Sequence, residues 1–225
     1  MNRSVLFIDP PAFCTTVEGL VAPALRSRPV VVAAPGADRA TVLALSTEAR
    51  GAGITRGMRV SEARKRCPDL IIRPPNPALY ARASKALDVI LRRYAPIIEP
   101  RGYGHAFLDL TGTGRLFGKA VDVAAKIQRE AREELRLPLA AGVAQNKLVS
   151  QAASDVAKSR GGAAAPPLRQ LRRYDLLDVA PGTEATFLAP ERVDLLPDLD
   201  PKIRTRLDEY QLDWIGEIQA ITDDE

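Results

Sequence analysis

What this chain has little of narrows its chemistry. Of its 225 residues one is a histidine, one a tryptophan and two are cysteines. The lone histidine, His105, leaves no choice of members for a Ser-His-Asp or Cys-His arrangement. Cys14 and Cys67 cannot build a disulfide framework, and no further Cys or His stands at metal-ligand spacing, so a structural zinc site is excluded. Two free thiols in a reducing compartment are expected. Long apolar runs are also missing. Runs such as residues 30–35 and 42–45 fall far short of the ~20 residues that a spanning helix needs. The run 5–8 is cut by Asp9 before it reaches the length of a secretory signal. The expectation is a cytoplasmic protein with no membrane partner.

What is present is ordinary for a globular chain, 46% hydrophobic and 27% charged. A chain of this length can remove roughly 70% of its unfolded surface from water, so a real core is available. The net charge of +4 hides an asymmetry: residues 166–225 carry 7 Lys and Arg against 14 Asp and Glu, net −7, which leaves 25 against 14, net +11, on residues 1–165. A basic body thus carries an acidic C-terminal piece. A polyanion partner and a merely solvated basic face both fit that charge.

Along the chain, residues 5–9 read as a strand ending in a carboxylate, and Pro11 opens a helix running to residue 25. Asp9 then stands at the carboxyl edge of a sheet, where sites gather. Residues 30–34 and 42–45 read as hairpin strands around a Pro-Gly turn at 35–38. Ser46 caps a short helix through Arg50, and residues 61–66 form a short basic helix. Pro74, Pro75 and Pro77 make a rigid connector that marks a boundary. Helical periodicity follows over 78–94, then strands at 97–99 and 106–110, the second in the centre of a sheet. A helix at 119–135, a strand at 139–144 and a helix at 146–159 complete the body. Residues 161–167 have linker composition, and 195–221 read as helix, short hairpin, helix. With residues 25–77 taken as an insertion, the rest alternates as an antiparallel sheet backed by two long helices. That is an α+β, ferredoxin-like arrangement.

Candidate chemistry is sparse. The stretch 112–119 sits between a strand and a helix as a P-loop would. Its glycine spacing is wrong, however, and Ala120 stands where a Ser or Thr must reach magnesium, so a glycine-rich turn is expected. His105 could be a general base, a lone ligand beside Asp9, or a packed polar residue. Asp109 lies four residues further on, about 13 Å along a strand at ~3.3 Å per residue, too far to join Asp9.

Several segments, in order, resemble the Y-family, or translesion, DNA polymerases. They are Phe7-Ile8-Asp9-Pro10-Pro11-Ala12-Phe13-Cys14-Thr15-Thr16-Val17-Glu18, Ser46-Thr47-Glu48-Ala49-Arg50, residues 57–69 from Gly57-Met58 to Cys67-Pro68-Asp69, and residues 101–111. Gly142-Val143-Ala144-Gln145-Asn146-Lys147, Phe187-Leu188-Ala189-Pro190 and Leu196-Pro197 continue the resemblance. It implies a palm over residues 1–24 and 78–165, inserted α/β fingers over 25–77 and an all-helical thumb over 166–225. It also implies two metal ions held by one Asp after the first strand and by an Asp-Glu pair before the central strand. Asp9 matches the first position. The pair falls on Gly104 and His105, which offer no anionic oxygen to a hard cation. Around the nucleotide, the aromatic gate falls on Cys14, the tyrosine that contacts the triphosphate on Thr47 and the triphosphate lysine on Gln151, while Arg50 is kept. Asp198-Leu199-Asp200 replace the glycines of a helix-hairpin-helix turn that would let backbone N–H groups approach a phosphate. The chain stops about where the family's fourth domain, the little finger, would begin.

The resemblance therefore implies a catalytically degenerate member, similar to ImuB-type accessory subunits, that binds DNA or scaffolds other translesion or replication proteins and needs no cofactor. DNA would be held through phosphate contacts by Arg50, Arg56, Arg59, Arg64, Lys65, Arg66, Arg73 and Arg101. One alternative is a weak polymerase that holds a single Mg2+ on Asp9. The other is a protein-interaction module whose acidic thumb docks on a basic partner. Gly104→Asp with His105→Glu is expected to recover metal binding, but not efficient polymerisation while Cys14, Thr47 and Gln151 remain.

Overall fold

The computed structural model describes residues 3–34, 39–163, 175–197 and 199–221. The elements begin with β1 (Val5–Asp9), α1 (Phe13–Val21), a 3-10 turn (Pro23–Leu25), β2 (Val30–Val32), β3 (Ala44–Leu45), α2 (Thr47–Gly51) and α3 (Val60–Arg66). Next come β4 (Ile71–Arg73), α4 (Pro77–Leu91), β5 (Ile97–Pro100), β6 (Ala106–Asp109), α5 (Gly114–Phe117) and α6 (Ala120–Leu135). The remainder is β7 (Ala140–Ala144), α7 (Lys147–Ala163), β8 (Leu176–Asp178), α8 (Glu184–Leu188), a 3-10 turn (Val193–Leu195), α9 (Pro201–Glu209) and α10 (Ile215–Gln219). The class is α+β, as the sequence pattern indicates.

Two sheets organise the chain. The larger has the order β5-β6-β1-β7-β8, so β1 is its middle strand and β6 lies one place from the centre. It is antiparallel except for the parallel β7–β8 pair. The smaller is β3-β2-β4, in which β2 pairs antiparallel with β3 and parallel with β4. The pleat alternation of β1 sends Leu6 and Ile8 to one face and Val5, Phe7 and Asp9 to the other. On the first face, Leu6, Ile8 and Leu108 pack against Leu87 and Ile90 of α4 and against Val123 and Ile127 of α6. Each such side chain, removed from water, contributes roughly 1.5–3 kcal/mol. Helix α4 begins where Asn76 accepts a hydrogen bond from the N–H of Leu79 at 3.1 Å, with Pro77 in the first turn.

Helix α7 covers the second face, and a glycine sets how closely. A Cβ on Gly142 of β7 would lie 2.0 Å from the Ser150 carbonyl oxygen and 2.5 Å from the Ser154 nitrogen. Only glycine lets the helix backbone approach the strand this far. Val149, Ala152 and Ala153 of α7 then share a core with Leu188, Val193 and Ile215 of the C-terminal helices.

The structure corrects the sequence reading in places. Helix α1 stops at Val21, and its N-cap Ala12 is left-handed with φ 50°. β4 and β8 were not anticipated, because three-residue strands carry no readable period. β8 also makes the C-terminal piece less than wholly helical, since residues 176–178 join the larger sheet. Helix α7 runs on to Ala163, into the stretch read as a linker. The rest of that linker, the 35–38 turn and Asp198 lie outside the described residues.

Candidate active site

Asp9 ends β1 opposite Ala140 of β7 and is only 6% exposed. It is not alone. Its Oδ2 accepts a hydrogen bond from Nζ of Lys158 on α7, and Lys158 also lies 2.6 Å from Oδ1 of Asp155. Oδ1 of Asp9 is 3.1 Å from Nε2 of His105. Burial by itself would push the Asp9 carboxyl up, but the His105 hydrogen bond and the Lys158 charge outweigh it, and its pKa lies below the usual carboxylate value. For Lys158 burial pulls the other way. The charges of Asp9 and Asp155 prevail and hold its ammonium above the usual lysine value.

His105 is oriented at both ring nitrogens. Nδ1 lies 2.7 Å from the Tyr103 carbonyl oxygen, and the ring stacks on Phe7 with centroids 6.5 Å apart. Both ring nitrogens thus face oxygen atoms, Nε2 the Asp9 carboxylate and Nδ1 the Tyr103 carbonyl. Gly104 beside it is buried with φ +76°, and its N–H donates to Ser84 Oγ at 3.0 Å. A Cβ there would lie 2.8 Å from two ring atoms of Phe13 and from Cγ of Pro10. The expectation that Gly104→Asp restores a ligand is therefore corrected. Position 104 combines a left-handed backbone with no room for a side chain.

The outer residues are spread over several elements. Cys14, half-buried on α1, has a thiol raised by burial although the Arg56 charge pulls it down. Thr47 and Arg50 are exposed on α2. Thr47 borders a recess of about 350 Å³ between α1 and α2, also lined by Thr15, Thr16, Arg26 and Arg136. Gln151 is half-buried on α7, two turns before Lys158. Asp109 stays at the far end of β6, paired with Val5, and accepts from the Thr111 N–H at 2.9 Å.

Of the expected phosphate-binding cations, Arg59, Arg64 and Lys65 are exposed and make no ion pair among the described residues. Arg56 is also exposed. Arg66 is tied to Glu62 at 2.8 Å and to the Gly53 carbonyl at 2.7 Å. Arg73 bridges 3.4 Å to the buried Glu18, which also accepts from Tyr80 Oη at 3.0 Å, so it braces β4 against α1. Arg101 is exposed, and its N–H donates to the His105 carbonyl at 2.8 Å. At the start of α9 Asp200 accepts from the Lys202 N–H at 2.7 Å. A carboxylate of the chain itself fills that helix N-terminus.

The impB/mucB/samB family model matches residues 8–155. The chain belongs to that family, the Y-family polymerase domain. Over 219 residues it is 32% identical to a DNA polymerase IV of Dehalococcoides mccartyi (strain CBDB1), covering 97% of this chain and 53% of that protein. Over 220 residues it is 37% identical to DNA polymerase IV 1 of Bacillus subtilis (strain 168), covering 97% of this chain and 50% of that protein. The chain spans about half the length of the curated relatives it matches. Its fold also matches the crystal structure of DinB from Sulfolobus solfataricus, with a TM-score of 0.81 at 24% identity over 97% of this chain and 60% of that one.

Around Asp9 the donor set is poor in anionic oxygen. Mg2+ and its relatives bind anionic and carbonyl oxygens. Here one carboxylate has both oxygens engaged by nitrogen donors, and the two other expected positions offer a hydrogen atom and an imidazole. Among the described residues no cluster of three or more His, Cys, Asp or Glu side chains could hold a metal. These residues do not fit the divalent pair. They form a charge cluster closed on itself, with Lys158 as the counter-ion. Sequence reasoning missed Lys158, although it stands seven residues after Gln151 and so on the same face of α7.

Proposed function

We propose that this Y-family domain binds DNA without polymerising it and serves as an accessory in translesion synthesis or DNA repair. The observation that carries this reading is the engagement of Asp9 by His105 and Lys158. In-line nucleotidyl transfer needs metal-held attacking and leaving oxygens, and a carboxylate already neutralised by a lysine cannot gather them. What supports DNA binding is the set of exposed cations on α2, α3 and the loop between them: Arg50, Arg56, Arg59, Arg64 and Lys65. Such contacts attract phosphates of any sequence and weaken with salt. Protein partners among translesion or replication proteins follow from the accessory role.

The test is titration of a labelled primer-template and of single-stranded DNA at several salt concentrations. Affinity that falls linearly on a log–log plot supports the reading, and no salt-dependent binding overturns it. A second reading, a DNA-directed DNA polymerase, is favoured by the DNA polymerase IV names of the relatives. Primer extension that Asp9→Ala abolishes would establish it.

A further inference from the structure

We propose that the trough between α1 and α4 docks an acidic amphipathic helix of a protein partner. The trough has a volume of about 270 Å³, with a floor of Val17, Leu20, Ala83 and Ala86 and one end closed by Leu135 and Leu137. It exists because α4 presents two alanines three residues apart, hence on one face, where longer side chains would fill the space. Val21 lines it and is 64% exposed, and Val89, three residues past Ala86 on α4, is 59% exposed. Single exposed aliphatics are commonplace, but Val21 belongs to a concave aliphatic lining and Val89 follows Ala86 by one turn of α4.

Charge selects the occupant. Arg82 lines the trough, and Lys85 follows it at i+3 on α4. The adjoining recess, which shares Leu20, adds Arg26 and Arg136 against the single carboxylate of Glu48. Among the described residues none of these four cations is in an ion pair. An apolar strip with a cationic rim suits a helix that lays down aliphatic anchors and flanks them with carboxylates, the helix-in-groove mode of recognition. A nucleic-acid strand would satisfy the rim and leave the aliphatic floor without a partner. The trough and the exposed cations of α2 and α3 are different surfaces, so partner docking and DNA binding stand or fall separately.

The test uses the full chain and a fluorescein-labelled peptide of about 14 residues, near the shortest length that sustains a helix. It carries Leu at i, i+4 and i+7 and Glu at the flanking positions. Two controls are the same peptide with Lys for Glu and a scrambled acidic peptide. The acidic amphipathic peptide is expected to bind at least about tenfold more tightly than either control. Val21→Glu and Arg82→Glu, both at exposed positions, are each expected to weaken it by about tenfold, a shift of 1.4 kcal/mol. Circular dichroism confirms folding, and DNA affinity is expected to be unchanged. Equal affinity for the scrambled peptide, or no effect of both variants in folded protein, overturns the proposal.

Discussion

Nε2 of His105 lies 3.1 Å from Oδ1 of Asp9, and Lys158 holds the other oxygen of the same carboxylate. At position 105, expected from the resemblance to hold a carboxylate, the histidine instead donates to Asp9. The Lys158 charge and the His105 hydrogen bond both favour the ionised Asp9, and both carboxylate oxygens already face nitrogen donors.

Removing the counter-ion should therefore be costly. Lys158→Met leaves Asp9 buried with His105 as its remaining partner, and breaking a buried pair in this way costs roughly 3–5 kcal/mol. The lower end is expected, because the Lys158 side chain is 29% exposed. The double variant Asp9→Leu/Lys158→Met should regain most of the loss, since an apolar pair of similar volume avoids the desolvation of both charges. Urea unfolding of the two singles and the double gives the coupling directly.

Restoring both carboxylates should fail. Gly104→Asp with His105→Glu places a Cβ where Phe13 and Pro10 already sit and forces a φ of +76° on a non-glycine residue. Backbone strain of that kind alone costs of order 1–3 kcal/mol. The expected outcome is a lower melting temperature and no saturable Mn2+ binding by electron paramagnetic resonance. Saturable binding of Mn2+ would show that the 10–13 loop can yield.

Acid should weaken the fold partly through Asp9. Its carboxyl has a pKa below the ordinary value of about 3.9, so the folded chain takes up this proton less readily than the unfolded chain. Asp9 thus stabilises the fold above the ordinary carboxylate range, and the contribution disappears as the pH falls through the folded value. Asp178 acts in the opposite sense, because burial raises its pKa and relief comes on protonation. Lys158, raised, contributes fully below the ordinary lysine pKa and loses its part as the pH rises through the folded value. In Asp9→Leu/Lys158→Met the urea midpoint should change less between pH 7 and pH 3 than in the unmodified chain.

The cations proposed to contact DNA include exposed ones unpaired among the described residues and structural ones. Arg64→Glu with Lys65→Glu should weaken binding to all sequences alike and lower the slope of log affinity against log salt by about 1–2. Arg73→Glu should instead lower the melting temperature, because it would set a second carboxylate against the buried Glu18 that Arg73 pairs with. An unchanged salt slope in the first variant would place DNA elsewhere on the chain.

The sequence made β1 legible as a short apolar run ended by Asp9, β6 as an apolar strand after a Gly-rich entry, and the long helices α4 and α6 by their helical period. The absence of carboxylates at 104 and 105 was also visible as residue identity. The remainder depends on distance and backbone angle. Lys158 is remote from Asp9 along the chain and reaches it because Gly142 lets α7 descend onto β7. The closure of position 104 comes from its φ and from the ring of Phe13, and neither is a local sequence property. β8, three residues long, is defined by its pairing with β7.

The most direct test of the central claim is primer extension by the intact chain with all four deoxynucleotides, in Mg2+ and in Mn2+, with Asp9→Ala in parallel. No extension is expected with either metal, and no difference between the two proteins, on the primer-template used for the binding titration. Extension by the intact chain that Asp9→Ala abolishes would contradict that claim.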